Sequence, residues 1–263
     1  MIARLIADAR KIVCKFGSNT LADRDGRINS AFLAEFAEQA AAFKRDGKQI
    51  VIVSSGAQVA GLSTMDKWAR KRDIHYRQAL CAVGQVELMG AWRRAFEQNG
   101  LRIAQILLTQ DDFGDPIRTL NMRNTLFTLV DEGIIPIINE NDTVSVEEIK
   151  IGDNDTLAAQ SAILWSADLL VLFSDIDGLY TKNPKEFPDA VLVEEVRNID
   201  GMRKNISTGA ANNFGTGGIA TKLDAAQRAF SYGIPTILAC GGKPRSLEAL
   251  AAGKQKGTAF LVE

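Results

Sequence analysis

The chain has 263 residues, 46% of them hydrophobic, with 31 Lys plus Arg against 32 Asp plus Glu and a formal net charge of −1. That content supports one substantial core, and the even charge balance gives no electrostatic footprint for nucleic acid. No apolar run reaches the roughly 18 residues of a membrane span, and the opening MIARLIADARKIVCKF lacks the apolar core and cleavage site of a secretory signal.

Short β-branched runs alternate with longer helical stretches. Residues 11–16 read as a strand ending at Gly17. Residues 31–45 are alanine-rich, carry Phe32, Phe36 and Phe43 on a helical period, and stop at Asp46-Gly47. Residues 49–53 form a second strand, with Ser54-Ser55-Gly56-Ala57 following at once. A long helix is predicted over 76–97, a third strand over 102–108, a helix over 120–132 and a fourth strand over 134–138. Residues 144–151 suggest a hairpin, 156–166 a helix, 169–173 a strand and Asp177-Gly178 a turn. A polar stretch over 207–218 reads as a mobile loop, followed by helix 221–232, strand 234–239, helix 246–251 and a last strand near 258–262.

This alternation predicts an α/β fold: a three-layer αβα sandwich around a mostly parallel sheet. One domain over 1–263 is expected, with no repeat, low-complexity segment or linker. Cys14, Cys81 and Cys240 are widely spaced, odd in number and without a CxxC pair, so reduced cysteines and a cytoplasmic location are expected. His75 is the only histidine and lies in a charged segment, which argues against a histidine base or a His-rich metal site.

Ligands of parallel sheets bind at the carboxyl ends of strands. Those positions hold Lys15-Phe16-Gly17-Ser18, Ser54-Ser55-Gly56-Ala57, Asn139-Glu140-Asn141-Asp142 and Ser174-Asp175. Two more loops open helices: Gly152-Asp153-Asn154-Asp155, and the run from Gly215 to Lys222. Glycines bare the backbone N–H groups, a helix N-terminus attracts phosphate, and Lys15 and Lys222 add positive charge. Singly, each has a plain reading as a surface lysine, a turn, a cap or a flexible loop. Six on one predicted sheet edge point to a ligand with several negative charges. Gly215-x-Gly217-x-x-Ala220 fits the relaxed dinucleotide fingerprint but follows a polar stretch rather than a strand, and no Walker pattern is present. A nicotinamide oxidoreductase is therefore disfavoured, and ATP would bind without a P-loop.

These motifs, with Ala82-Val83-Gly84-Gln85, Gln105 to Thr109, and Gly178-Leu179-Tyr180, resemble the amino-acid kinase family from about Lys11 to the end of the chain. Asn139-Glu140-Asn141-Asp142 and Gly152-Asp153-Asn154-Asp155 point within it to the subfamily that phosphorylates the side-chain carboxylate of L-glutamate, the first step of proline biosynthesis.

The resemblance implies the amino-acid kinase type of fold, with an amino-acid side over about 1–165 and a nucleotide side over about 166–263. It implies Lys15 and Lys222 as the lysines neutralising the transferring phosphoryl group, held by Asp155. It implies substrate contacts from Ser55, Asp142 and Asn154, with Gly56, Ala57 and Asn139 from the same loops. It implies a nucleotide site of Lys15, Gly17, Ser174, Asp175, Thr216, Gly217, Gly218, Ile219, Ala220, Thr221 and Lys222. ATP and Mg2+ follow, the metal held mainly by ATP phosphates rather than by protein ligands.

L-Proline as feedback inhibitor and a homo-oligomer, dimer or tetramer, are implied too, with the 77–92 helix near the subunit interface and the amino-acid site. Many members add a C-terminal PUA domain; a single-domain form is expected here. The family pattern Gly-Thr-Ser is replaced by Gly17-Ser18-Asn19, and Ser54 and Ser174 stand where threonine is common. The alternatives are an N-acetylglutamate kinase or aspartokinase, disfavoured by the two Asn/Asp loops, and a non-catalytic amino-acid or nucleotide sensor.

Overall fold

Strands that are apolar on both faces need a layer of helices on each side. The computed structural model, described over residues 1–65, 73–145, 154–184, 186–208 and 218–262, provides both layers. Along the chain come α1 (Ile2–Asp8), β1 (Lys11–Phe16), α2 (Ser18–Leu21), α3 (Ser30–Arg45), β2 (Gln49–Ser54), α4 (Ala57–Met65), α5 (Ile74–Glu97) and β3 (Ile103–Leu108). A 3₁₀ turn (Gln110–Phe113) leads to α6 (Pro116–Asp131), β4 (Ile135–Glu140), α7 (Asn154–Trp165), β5 (Leu169–Ser174), β6 (Glu195–Val196) and α8 (Ile199–Thr208). Then follow α9 (Gly218–Phe230), β7 (Thr236–Cys240), α10 (Ser246–Ala251) and β8 (Thr258–Phe260).

The strands form one sheet in the order β3-β4-β2-β1-β5-β7-β8-β6. Every pairing is parallel except β7 with β8. The central strand β1 sets Lys15 beside Val53 on one side and Leu172 on the other. Side chains alternate across a strand, so the sheet divides two cores. Ile12, Cys14 and Phe16 pack with α1, α3, α5 and α10; Val13, Val51, Leu170 and Leu172 pack with α6, α7, α8 and α9. Lys15 shares the face of Val13 and therefore emerges on the side of α7 and α9. Under the carboxyl edge, Phe16 stacks on Phe173 at 4.9 Å and meets Phe36 edge-on at 4.6 Å. Trp92 joins them and donates its Nε1–H to Ser54 Oγ at 3.0 Å. Ser54, expected only to keep a hydroxyl at a strand end, is thus a fully buried acceptor for an indole.

Two glycines clamp α4 to α5. A Cβ on Gly61 would lie 2.0 Å from the Leu80 carbonyl oxygen, and one on Gly84 would lie 1.8 Å from that of Ala57. Neither distance is physical, so the helix backbones touch only because both positions lack a side chain.

Several boundaries differ from the sequence expectation. The helix expected at 120 begins at Pro116, because Asp115 accepts from the N–H groups of Ile117 and Arg118 and proline suits the first helical position. That expected at 76 begins at Ile74, capped by Asp73. Ser207 and Thr208, expected in a loop, end α8. Helices α1, α2, α4 and α8 and strand β6 were not anticipated. Lys48 Nζ donates to the carbonyls of Ile6, Ala7 and Ala9, closing the C-terminus of α1. The expected hairpin over 144–151 falls outside the described residues from 146 onward. Cys14 and Cys81 are buried, Cys240 is half-buried, and none of the three forms a disulfide.

Candidate active site

The carboxyl ends of β1, β2, β4 and β5 lie side by side, so four of the six loops share one edge. α7 and α9 bring the other two. Asp155, in the first turn of α7, is 1% exposed and holds both lysines. Lys15 Nζ pairs with Oδ1 at 2.5 Å, and Lys222 Nζ donates to Oδ2 at 3.0 Å. The Thr221 hydroxyl also donates to Oδ2, at 2.9 Å. Burial alone would raise the carboxyl pKa; Lys15 and then Lys222 outweigh it and hold it at about 2. This triad ties the central strand to two helices from distant parts of the chain. With one carboxylate between two ammonium groups, it carries a net positive charge.

Gly17 lies beside it. Its conformation does not require glycine, but a Cβ there would lie 3.8 Å from Lys15 Nζ. Any longer side chain would grow toward the ammonium, so the glycine keeps Lys15 approachable. Ser18 is half-buried and Asn19 is exposed on α2.

On the other flank, buried amides join three loops. Asn154 Nδ2 donates to Ser55 Oγ at 2.8 Å and to Asn139 Oδ1 at 3.0 Å. Asn139 Nδ2 donates to Gln85 Oε1 at 2.8 Å. Asn139, Asn154 and Ser55 are each no more than 3% exposed. Gly56 has φ +103°, a conformation that favours glycine, and turns the chain from Ser55 into Ala57 and α4. Asp142 is 6% exposed, and its Oδ1 has no hydrogen-bond partner among the described residues. Burial raises its pKa to about 6, against the opposing effects of a hydrogen bond from Cys81 and the charge of Arg77. A buried acid of this kind accepts a cationic group readily.

Toward β5, Ser174 donates its hydroxyl to the Asp175 carboxylate at 3.1 Å, and Asp175 is exposed. Gly218, Ile219 and Ala220 form the first turn of α9, whose N–H groups have no intrahelical acceptors. Farther along, a cavity of about 430 Å3 is lined by Tyr180, Leu192, Lys243 and Gln255 among others. Thr216 and Gly217 lie outside the described residues. No cluster of three metal-ligating side chains occurs among the described residues. His75 is exposed in the first turn of α5, its N–H capped by Asp73. Gln85, quoted in the sequence only within a family motif, is joined to this amide cluster through Asn139, a place not foreseen for a glutamine, which is ordinarily a surface type.

An αβα sheet bearing two lysines on one buried carboxylate at its carboxyl edge offers a concentrated positive charge to an anionic ligand. The chain belongs to the amino acid kinase family, whose model matches residues 10–240, and it is an enzyme of the kinase class. It is 62% identical over 260 residues to the glutamate 5-kinase of Alkaliphilus metalliredigens, covering 99% of this chain and 98% of that one. It is 57% identical over 263 residues to the glutamate 5-kinase of Alkaliphilus oremlandii, covering 100% of both. Among solved structures, the UMP kinase of Ureaplasma parvum superposes with a TM-score of 0.66 at 16% identity, covering 96% of this chain and 98% of that one; at that identity the likeness concerns the fold alone.

Proposed function

We propose that this enzyme transfers the terminal phosphoryl group of ATP to the side-chain carboxylate of L-glutamate, giving glutamyl 5-phosphate, the first step of proline biosynthesis. The observation that carries the reading is the Lys15–Asp155–Lys222 triad flanked by the Ser55, Asn139 and Asn154 amide cluster and by Asp142. It agrees with the glutamate 5-kinases to which the chain is similar.

A carboxylate with a pKa near ~4.3 is ionised at neutral pH and needs no base. One of its oxygens attacks the terminal phosphorus, the bond to the bridging oxygen breaks, and ADP leaves with that electron pair. No proton moves. The difficulty is the mutual repulsion of two anions, and catalysis rests on positioning and charge stabilisation. Lys15 and Lys222 face the transferring group, while Asp155 fixes their spacing. Ser174, Asp175 and the segment from 216 to 222, ending in the α9 N-terminus, hold the nucleotide. Mg2+ bound to the ATP phosphates would offset part of their charge. Asp142 pairs with the substrate ammonium, which favours a free amino acid over an N-acylated one. Ser55, Gly56, Ala57, Asn139 and Asn154 enclose the rest of the substrate.

The chain works as one domain with an amino-acid side and a nucleotide side, in a homo-oligomer inhibited by L-proline. Among the described residues no helix is long and apolar enough to cross a membrane, and we place the enzyme in the cytoplasm. An ADP-release assay with glutamate, aspartate and N-acetylglutamate, each with and without proline, tests the reading. Glutamate-dependent release is expected; turnover of another acceptor in its place overturns the substrate assignment.

A further inference from the structure

The orientation of every amide in the cluster follows from one group that can only donate. The backbone N–H of Glu140 donates to Asn139 Oδ1 at 2.9 Å. That atom is therefore the oxygen, and Asn139 Nδ2 must be the donor toward the Gln85 side chain, 2.8 Å away. The Gln85 atom receiving it is then Oε1, which leaves Nε2 with two hydrogens. This nitrogen is buried, on a residue 9% exposed, and has no partner among the described residues. A buried donor without an acceptor is costly and rarely kept without a purpose.

Its position says what it awaits. Gln85 adjoins Gly84, which is locked onto the Ala57 backbone. One helical turn earlier on the same face is Cys81, hydrogen-bonded to Asp142, and one turn before that Gln78 Nε2 donates to the Asp142 carbonyl at 3.0 Å. Gln85 is thus bracketed by Asp142 on one side and by the Asn139–Asn154–Ser55 chain on the other. Two neighbouring acceptors are spoken for: Asn139 Oδ1 takes two donors, and Ser55 Oγ takes one from Asn154; the open acceptor on this wall, Asp142 Oδ1, makes no hydrogen bond to Gln85.

We propose that Gln85 Nε2 is a substrate-binding and specificity-determining donor, giving a hydrogen bond to a carboxylate oxygen of the amino-acid substrate. This rests on the acidic amino-acid reading given above. A carboxylate supplies an acceptor to the buried donor. An amide or alcohol in its place offers fewer lone pairs and no charge, so the residue selects for the acid.

Gln85→Glu separates this role from support of Asn139. The new side chain still accepts from Asn139 Nδ2 but presents an oxygen where the substrate needs a hydrogen. Glutamate binding is measured by calorimetry and by steady-state kinetics at saturating ATP, with melting curves of each protein. The expected result for Gln85→Glu is a Kd and KM for glutamate raised at least 100-fold, with the KM for ATP and the melting temperature close to wild type. Gln85→Leu, which removes the acceptor of Asn139 Nδ2 together with the donor, weakens glutamate by 10- to 100-fold and serves as the second variant should Gln85→Glu fail to fold. Glutamate binding within threefold of wild type in the folded variants overturns the proposal. Wild-type protein that binds glutamate without phosphorylating it overturns the kinase reading instead, and leaves Gln85 judged by the calorimetry. Wild-type protein that does not bind glutamate overturns both.

Discussion

Replacing Asp155 by asparagine keeps the shape and removes the charge that holds Lys15 and Lys222. Lys15 is 4% exposed and would be left buried without a counter-ion. Two effects have different sizes. The carboxyl is held at about 2 against an ordinary 3.8, which corresponds to about 2 kcal/mol of folding stability. Because the folded pKa is the lower one, that contribution is present above pH 4 and fades as pH falls toward 2. Leaving a buried charge unpaired costs more, about 3–5 kcal/mol. For a chain of this length Asp155→Asn should melt lower by about 6–15 °C. Thermal and urea unfolding at pH 7.5 measure it. Inorganic phosphate or Mg-free ATP, supplying the missing negative charge between the lysines, should recover more of the loss in the variant than it adds to the wild type. A variant within about 1 kcal/mol of wild type, or a loss indifferent to phosphate, would show that the triad is not the electrostatic centre of the site.

Lys15→Ala and Lys222→Ala each leave Asp155 with one cationic partner, so both should fold while kcat falls by about 10²–10³-fold or more; near-normal turnover in both would refute their assignment. With the Asp142 carboxyl at about 6, kcat/KM for glutamate should fall by about tenfold per pH unit below that value, since the protonated acid cannot pair with an ammonium. Asp142→Asn should flatten this limb at a low value and raise the KM for glutamate far more than that for ATP. For folding the sign is opposite: a raised acid pKa contributes stability below 3.8 that is lost as pH rises through 6. Gly84→Ala, forcing a methyl into the Ala57 carbonyl, should cost about 3 kcal/mol or more in urea unfolding and weaken glutamate binding by displacing Gln85.

The strand ends were legible because each combines an apolar run, a glycine or serine stop, and a side chain out of place on a plain strand, as with Lys15. The convergence of Lys15, Asp155 and Lys222 was not legible from spacing. They sit on β1, α7 and α9, and only the family resemblance joined them before the sheet order did. α4 escaped notice because its buried stripe is short and made mostly of small residues, Ala57, Ala60 and Gly61 with Leu62 beside them, a weak apolar signal directly after a glycine turn. α6 carried a readable signal in Asp115-Pro116, but the apolar pattern of its middle set the expected boundary too late. Gln85 could not be found by residue type. Its importance depends on a backbone N–H at Glu140 and on two amides between, a relation that exists only in three dimensions.

The glycine contact between α4 and α5 limits how such a site can diverge. α4 begins at the end of the Ser55-Gly56 loop, and α5 carries Gln78, Cys81 and Gln85. Since Gly61 and Gly84 admit no larger residue, neither helix can slide or rotate against the other by small mutational steps. A lineage adapting to a different amino acid would find the spacing of these walls closed to gradual change. Its open route is to exchange the side chains at 78, 81 and 85, three interchangeable fittings on a fixed frame.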